Sequence, residues 1–207
     1  MERVEHSGAL VASVNSENWY FVEPVFENAI VDFIHDLASK NIEQEGTEVN
    51  FRGEKLPSDP TNRSCSICWI RDLQVYEILM DAIEKINDNN WRYDITGIED
   101  LQYTIYREQG EQHYDWHSDP INHKDLNAPY RKVSCSILLS DPEDFEGGEF
   151  EFMSIDTTSQ RGAAFRPNFF NTKGHGLFFP SHAFHRVKPV TRGTRRSLVC
   201  WFTGSRP

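Results

Sequence analysis

The sequence changes character after Trp91, and this change most constrains what the chain can fold into. Beyond it, short runs of alternating apolar and polar residues are separated by turn residues, which is the pattern of antiparallel strands. The predicted strands are Leu101–Arg107, Lys132–Leu139, Gly148–Met153, Gly176–Phe179, Ser197–Phe202 and a shorter one at Val187–Thr191. Residues 91–207 are therefore predicted to form an all-β core.

The first 90 residues carry helical periodicity instead. In two stretches apolar residues recur every three or four positions, as on the buried face of an amphipathic helix. The predicted elements are helices at Val25–Lys40 and Val75–Asn87, strands at Trp19–Val22 and Cys65–Ile70, and a polar loop at 41–63. With no repeat and no linker in the sequence, residues 1–207 are predicted to form one domain. Residues 1–90 would be its helical support region.

Charge and hydropathy restrict the partners. The net charge is −11, which opposes the broad positive field that binds nucleic acid, so no nucleic-acid partner is expected. No apolar run approaches the roughly 20 residues of a membrane helix. The N-terminal residues also lack the apolar core of a signal peptide. A cytoplasmic location without a membrane partner is expected, and the oligomeric state is not indicated.

The cysteines raise the question of a zinc or redox site. Cys65 and Cys68 form a CxxC, but no second pair and no paired histidines follow at zinc-finger spacing. Residues three apart on a strand face opposite ways. The strand predicted here would therefore separate the two thiols. We expect reduced thiols, as in other proteins of the cytosol.

The run from His113 to Pro120 contains two overlapping His-x-Asp pairs. Two imidazoles and one carboxylate on one side of an iron(II) ion leave its other positions open for cosubstrate and dioxygen. Residues two apart on a strand share a face, so we expect His113, Asp115, His117 and Asp119 to share one. We prefer the second pair, because Pro120 ends the strand and places Asp119 at its mouth.

The third ligand has three candidates: His175, His182 and His185. His185 is favoured because Arg195 follows ten residues later. A dicarboxylate that chelates iron through its keto-acid end leaves a second carboxylate, which arginine can hold with a bidentate fork while buried. Arg196 is the alternative cation, since only one of these neighbours can face inward. Ser197 shares the face of Arg195 and offers a hydroxyl to the same carboxylate.

With these residues identified, the stretch from Leu101 to Pro207 resembles the catalytic core of the prolyl 4-hydroxylase-like iron(II)/2-oxoglutarate oxygenases. The similarity is greatest to the bacterial and phage branch called PKHD-type hydroxylases. It rests on the order and spacing of short motifs: Tyr114-Asp-Trp-His-Ser-Asp-Pro120, Arg131-Lys-Val-Ser134, Leu138-Leu-Ser-Asp-Pro142, Phe145-Glu-Gly-Gly-Glu149, Phe179-Pro-Ser181 and His185-Arg-Val-Lys-Pro-Val-Thr-Arg-Gly-Thr-Arg195. The first half of the chain is similar only in general terms.

The resemblance implies a mainly β fold with α-helices. Its core is a double-stranded β-helix, or jelly roll, with the N-terminal helices packed outside one sheet. The implied cofactors are Fe(II), 2-oxoglutarate as cosubstrate and O2, with ascorbate as a further candidate.

The resemblance also implies roles for individual residues. Iron would be held by three side chains: His117, Asp119 and His185. Arg195 would bind 2-oxoglutarate, at a position where many family members carry lysine. Tyr106 would add a hydrogen bond to the cosubstrate, with Tyr103 and Tyr114 as competing candidates. The carboxylate at Asp119 favours hydroxylation, because halogenases of this fold lack it.

The implied reaction is hydroxylation of a C–H bond, first of all in a prolyl residue of a peptide or protein. A hydroxylase of a free amino acid or other small molecule is one alternative. A non-catalytic barrel that binds a ligand or a structural metal is another. A nucleic-acid demethylase is disfavoured by the charge and by Trp201, where such enzymes carry a second arginine. The polar insertions at 120–131 and 154–175 are expected to close over the substrate.

Overall fold

The computed structural model describes residues 19–41, 44–46, 59–119, 129–156, 161–168 and 170–206. Strands dominate this part of the chain. In chain order the elements are β1 (Phe21–Pro24), α1 (Asn28–Ser39), β2 (Gln44–Glu45), β3 (Arg63–Ser64), β4 (Ser66–Ile70), α2 (Leu73–Asn89), β5 (Gly97–Ile98), β6 (Leu101–Arg107), β7 (His113–His117), β8 (Tyr130–Leu138), a short 3₁₀ helix (Pro142–Asp144), β9 (Phe145–Gly147), β10 (Phe150–Asp156), β11 (Arg161–Phe165), β12 (His175–Pro180), β13 (His185–Val187) and β14 (Val190–Gly204).

The strands form two antiparallel sheets. The larger has nine described strands, in the order β1-β12-β8-β14-β6-β4-β2, with β5 and β9 also paired to β14. The smaller has five, in the order β11-β10-β13-β7-β3. Buried side chains from the two sheets pack against each other, among them Tyr106 and Phe179 of the larger and Phe152 and Val187 of the smaller. This confirms the predicted double-stranded β-helix.

Both helices pack on the outer face of the larger sheet. Val31 and Ile34 of α1 and Leu79 and Ile83 of α2 are fully buried against apolar side chains such as Ile105. Helix α2 begins two residues before the predicted Val75. Its start is set by Asp72, whose side chain accepts a hydrogen bond from the Val75 backbone N–H at 3.1 Å. The helices therefore lie outside one sheet, as predicted.

Strand alternation separates the two faces of the larger sheet. On β6, Tyr103 and Ile105 face the helices, while Tyr106 faces the interior between the sheets. Likewise Cys68 belongs to the helix-facing core and Cys65 to the interior core. The CxxC thiols thus lie on opposite faces, as their strand spacing predicts.

The loop predictions need correction. The predicted insertion at 154–175 contains the end of β10 and all of β11, because the two strands pair into a hairpin, with Phe152 opposite Phe165. The predicted loop at 41–63 contains β2, and the strand pattern already begins at Arg63. Residues 120–128 of the other insertion lie outside the described residues. In the two described places, pairing with another strand overrides the local polar sequence.

The first 90 residues contribute strands to both sheets. β1 pairs with β12 and β4 with β6 in the larger sheet, while β3 pairs with β7 in the smaller. The division into a support region and a catalytic core therefore stays a prediction. Neither α1 nor α2, the α-helices of the described residues, has the length and apolar character required to cross a membrane.

Candidate metal and cosubstrate site

The structure brings together the three side chains favoured as ligands. His117 at the end of β7 lies opposite His185 on β13, and Asp119 follows β7 by two residues. One ligand atom from each of these residues lies within 4.8 Å of the others. We call this group the metal end of the cavity.

A β-bulge decides which His-x-Asp pair faces inward. His185 pairs with His117, but Val187 pairs with Tyr114, so β7 has one more residue than β13 across this stretch. The extra residue puts His117 on the same side as Tyr114, and the two rings stack at 3.5 Å between centroids. The expectation that both His-x-Asp pairs share one face is therefore wrong.

The other pair lies away from the metal end. The two ring nitrogens of His113 lie 3.0 and 3.1 Å from backbone carbonyl oxygens, those of Glu111 and Thr61. The Asp115 side chain is 47% exposed and lies 3.9 Å from an Arg186 nitrogen. Of the other histidines considered, His182 is exposed. His175 lies at the far end of β12, opposite Pro24.

Hydrogen bonds set the tautomers of the two inward histidines. His117 Nδ1 lies 2.7 Å from the Asp115 carbonyl oxygen, and His185 Nδ1 lies 2.9 Å from that of Ala183. A carbonyl only accepts, so each Nδ1 carries the hydrogen and each Nε2 presents a lone pair. The Nε2 atoms lie 3.8 and 3.7 Å from the Asp119 carboxylate, too far for a hydrogen bond.

The protonation states also suit a metal. Burial, reinforced by the neighbouring His185, lowers the pKa of His117 to about 3. Burial by itself would raise the pKa of Asp119, but His185, His117 and Arg131 bring it below its ordinary value. Near neutral pH the site therefore offers a neutral imidazole beside a carboxylate anion. Two imidazole nitrogens and one carboxylate are a donor set that fits iron(II) with open positions.

Aromatic rings shield His185. Phe150 stacks on it with 5.2 Å between centroids, and Phe179 approaches edge-on at 4.8 Å. Both rings are buried, at 6% and 2% exposure. This apolar surround orients the imidazole and keeps bulk water from that side of the metal end.

At the other end of the interior lies Arg195, only 2% exposed. Its Nη1 donates to Ser197 Oγ at 3.3 Å, and its guanidinium carbon lies 5.8 Å from the Tyr106 ring centre. Among the residues that the structure describes, no carboxylate forms an ion pair with it. Burial lowers the pKa of Arg195 without removing its charge. We call Arg195, Ser197 and Tyr106 the cation end.

The competing candidates for the cation end lie in other parts of the fold. Arg196 faces the helix side, near His35. Tyr103 also faces that side, where its hydroxyl lies 2.7 Å from His35 Nδ1. Tyr114 lies at the metal end against His117. Of the three tyrosines considered, only Tyr106 adjoins Arg195, to which it is paired across β6 and β14.

A cavity of about 190 Å³ lies between the sheets, and two tryptophans line it: Trp69, which is 39% exposed and marks the mouth, and the buried Trp201. Its lining includes the metal end together with Tyr106 and Ser197. At the mouth, Arg131 lies over the Trp201 ring at 3.8 Å and donates to both carboxylate oxygens of Glu99 at 2.8 and 2.6 Å. This ion pair joins residues 32 apart in the chain, and the sequence analysis did not find it.

Comparisons with known proteins identify a family for the chain. Residues 101–203 match the family model of the 2OG-Fe(II) oxygenase superfamily. A PKHD-type hydroxylase of Polaromonas sp. is 39% identical over 70 residues, which is 34% of this chain and 26% of that protein. Another, from Sphingopyxis alaskensis, is 28% identical over 175 residues, covering 80% of this chain and 73% of that protein. Other PKHD-type relatives are matched over 30% and 40% of their length, so this chain spans well under two thirds of several relatives.

A solved structure shows the same fold. The prolyl-4-hydroxylase of Pseudomonas putida superposes with a TM-score of 0.62 at 19% identity, covering 91% of this chain and 93% of that one. At this identity the likeness concerns the fold, and the sequence match carries the family. The chain belongs to the 2OG-Fe(II) oxygenase superfamily, within which it resembles the PKHD-type hydroxylases.

Proposed function

We propose that this protein is an Fe(II)- and 2-oxoglutarate-dependent dioxygenase that hydroxylates a C–H bond. The observation that carries the proposal is the pairing of two ends in one interior: a His-His-Asp donor set and a buried arginine without a carboxylate partner among the described residues. In this proposal His117, Asp119 and His185 hold the metal. Bound iron would supply the activation of dioxygen, with 2-oxoglutarate oxidised to succinate and carbon dioxide as one oxygen atom enters the substrate.

The protein's own residues bind, orient and shield. Arg195 takes the far carboxylate of 2-oxoglutarate, and Ser197 and Tyr106 offer hydroxyls beside it. The lone pairs on the two Nε2 atoms are directed by backbone carbonyls before any metal arrives. Phe150 and Phe179 keep water from the metal end. Ascorbate remains a candidate reductant for restoring oxidised iron.

The substrate we propose is a prolyl residue in a peptide or protein. Three observations support this: the prolyl-4-hydroxylase fold, the aromatic mouth and the neutralised cation there. Glu99 balances Arg131 at the mouth, and Trp201 Nε1 is buried without a hydrogen-bond partner among the described residues. An uncharged peptide segment that brings a carbonyl oxygen suits this mouth better than the ammonium and carboxylate of a free amino acid.

The test measures succinate formed from 2-oxoglutarate with iron(II) under air. A proline-rich peptide is expected to stimulate turnover, with hydroxyproline detected by mass spectrometry, and His117→Ala is expected to abolish it. Stimulation by free proline or another metabolite would instead favour the small-molecule alternative. Metal binding without turnover on any substrate would support the non-catalytic barrel. A nucleic-acid substrate is not proposed, given the net charge of −11.

We further propose that residues 1–207 act as one 2-oxoglutarate/Fe(II) dioxygenase domain, with residues 1–90 supporting the catalytic strands of 91–207. Strand β3 supports β7 directly, with Arg63 opposite Tyr114. Calorimetry is expected to show a single cooperative unfolding transition, and two separate transitions would contradict the proposal. A cytoplasmic location is proposed as well. The four cysteines, all within the described residues, are buried thiols outside any disulfide, which suits a reducing compartment.

A further inference from the structure

A serine from the opposite sheet reaches the metal end. Ser134 lies in the middle of β8, opposite Phe179 on one side and Trp201 on the other, and is fully buried. Its hydroxyl donates to Asp119 Oδ2 at 2.6 Å, the distance of a charge-assisted O–H to carboxylate hydrogen bond. Asp119 follows a strand of the smaller sheet, so this hydrogen bond links the two sheets.

A second serine completes a directed chain of hydroxyls. Ser181 Oγ lies 3.0 Å from Ser134 Oγ and is 1% exposed. Each serine has one hydrogen to donate, and a carboxylate only accepts. The Ser134 hydrogen therefore goes to Asp119, and Ser181 donates to the lone pair of Ser134. Such chains strengthen each bond by polarisation in a buried setting.

The backbone fixes the same three residues. The Asp119 N–H donates to the Ser181 carbonyl at 2.8 Å, and the Ser181 N–H donates to the Lys132 carbonyl at 3.0 Å. These bonds fix the backbone from which the Asp119 carboxylate projects.

From this arrangement we propose that Ser134, oriented by Ser181, is a positioning residue for Asp119. Its hydroxyl occupies one carboxylate oxygen and leaves the other for the metal, so that the carboxylate contributes a single ligand atom. A carboxylate that instead bound through both oxygens would take a coordination position that cosubstrate or dioxygen needs. The inference rests on the proposed metal-binding function.

The experiment titrates metal-free protein anaerobically with Fe(II) and with Co(II), and compares single variants by calorimetry. Ser134→Ala is expected to weaken metal binding by roughly 10–100-fold, the usual cost of losing a hydrogen bond to a metal ligand. Ser181→Ala, one step removed, is expected to weaken it by about 3–10-fold, the equivalent of one neutral hydrogen bond. The visible spectrum of the Co(II) protein should also change in Ser134→Ala, because the carboxylate is free to bind through both oxygens.

Ser136→Ala provides the matched control. Ser136 lies on the same strand and face as Ser134 and is 5% exposed, but has no hydrogen bond to Asp119 among the described contacts. It should leave both metal affinity and the Co(II) spectrum at the wild-type values. Metal binding is measured at a temperature at which the metal-free forms of Ser134→Ala and Ser136→Ala are both fully folded, which separates positioning from general destabilisation.

The possible outcomes distinguish a failure of this inference from a failure of the proposed function. Wild-type metal affinity in Ser134→Ala, or equal losses in Ser134→Ala and Ser136→Ala, would overturn the inference. A wild-type protein that binds no divalent metal would overturn both this inference and the proposed function. A wild-type protein that binds metal with the expected ranking but never turns over 2-oxoglutarate would overturn the function alone.

Discussion

At the metal end of the cavity, each of the three inward side chains already has a hydrogen-bond partner in the protein. His117 and His185 use their Nδ1 atoms on backbone carbonyls, and Asp119 accepts from Ser134. At the cation end, the one hydrogen-bond partner of the Arg195 guanidinium among the described residues is the Ser197 hydroxyl, with the Tyr106 ring nearby. The side chains of the metal end are therefore held in position before a metal binds. The cation end instead offers a buried positive charge that an anionic ligand would neutralise.

The difference follows from what each end is proposed to bind. A metal requires donor atoms in fixed directions and in the correct protonation state, which backbone carbonyls and hydroxyls can impose in advance. An anionic cosubstrate requires a compensating charge, and any carboxylate supplied by the protein would compete with it. Burying a cation without a partner costs several kcal/mol. The cation end should therefore lower the stability of the empty protein, and the cosubstrate should restore it.

The largest expected effect comes from removing the carboxylate at the metal end. Asp119→Ala should abolish stoichiometric Fe(II) binding, a greater loss than the roughly 10–100-fold cost of changing a supporting residue. The reason is that the two remaining imidazoles supply no charge to the metal. Isothermal titration calorimetry with Fe(II) measures this loss of binding. Near-wild-type affinity in Asp119→Ala would show that the metal lies elsewhere.

Removing the charge at the cation end should have a different signature. Arg195→Met is expected to raise the KM for 2-oxoglutarate by about 100-fold, from loss of charge-assisted hydrogen bonds worth up to roughly 3 kcal/mol. Metal affinity should not change. Thermal unfolding of the unliganded variant should occur at the wild-type temperature or above, because an uncompensated buried charge has been removed.

The neighbouring arginine is the control for that prediction. Arg196 carries the same charge one residue later but faces the helix side. Arg196→Met should leave the KM for 2-oxoglutarate at the wild-type value. If Arg196→Met raised the KM as much as Arg195→Met, the assignment of the cation end would be wrong.

Gly148 leaves room for the aliphatic stem of Arg195, and the methyl group of an alanine at this position should displace that stem. A Cβ added to Gly148 would lie 2.8 Å from Arg195 Cδ and 2.9 Å from a methyl carbon of Val190. Gly148→Ala is therefore expected to raise the KM for 2-oxoglutarate by about 10-fold, equivalent to roughly 1.4 kcal/mol. Steady-state kinetics with a metal titration alongside would show whether only the cation end responds.

Gly110→Ala separates this contact from backbone strain. Both glycines have positive φ, +63° for Gly148 and +79° for Gly110, but a Cβ on Gly110 would meet no atom within 4 Å. Both substitutions should therefore cost similar stability from the left-handed backbone. Only Gly148→Ala should change the KM, and an equal change in Gly110→Ala would refute the contact.

The smallest expected effect concerns one hydroxyl. Tyr106→Phe should raise the KM for 2-oxoglutarate by about 3–10-fold, the value of a single hydrogen bond. Tyr103→Phe, on the same strand but facing His35, should lose some stability and leave the KM unchanged. The kinetics of the two variants, measured side by side, test which tyrosine belongs to the cation end. A KM effect in Tyr103→Phe alone would reverse the assignment.

Much of this could be predicted from local patterns. Helical spacing located α1 and α2 to within three residues at each end, and alternation located β6 at its observed bounds. Strand parity also required Arg195 and Arg196 to face opposite ways, as they do. These predictions succeed because the direction of a side chain on a regular element depends only on its own position in the sequence. They fail where regularity is interrupted.

The metal end shows that limit. Counting along β7 put His113 and His117 on one face, whereas the bulge opposite His185 and Val187 puts them on different faces. A bulge arises from pairing with another strand, and β13 lies about 70 residues away in the sequence. The preference for His117 over His113 came from Pro120 and the family pattern, not from the geometry that separates them.

The sequence by itself therefore determined the donor types, the buried cation and the reaction class they suggest, because these depend on residue chemistry and spacing. Only the tertiary structure decided that Ser134 holds Asp119, that Glu99 neutralises Arg131, and that His117 turns inward. Each of these depends on two segments brought together from different sheets or distant parts of the chain. Such contacts leave no periodic signal in the sequence of either segment, so they can be identified only from the folded β-helix.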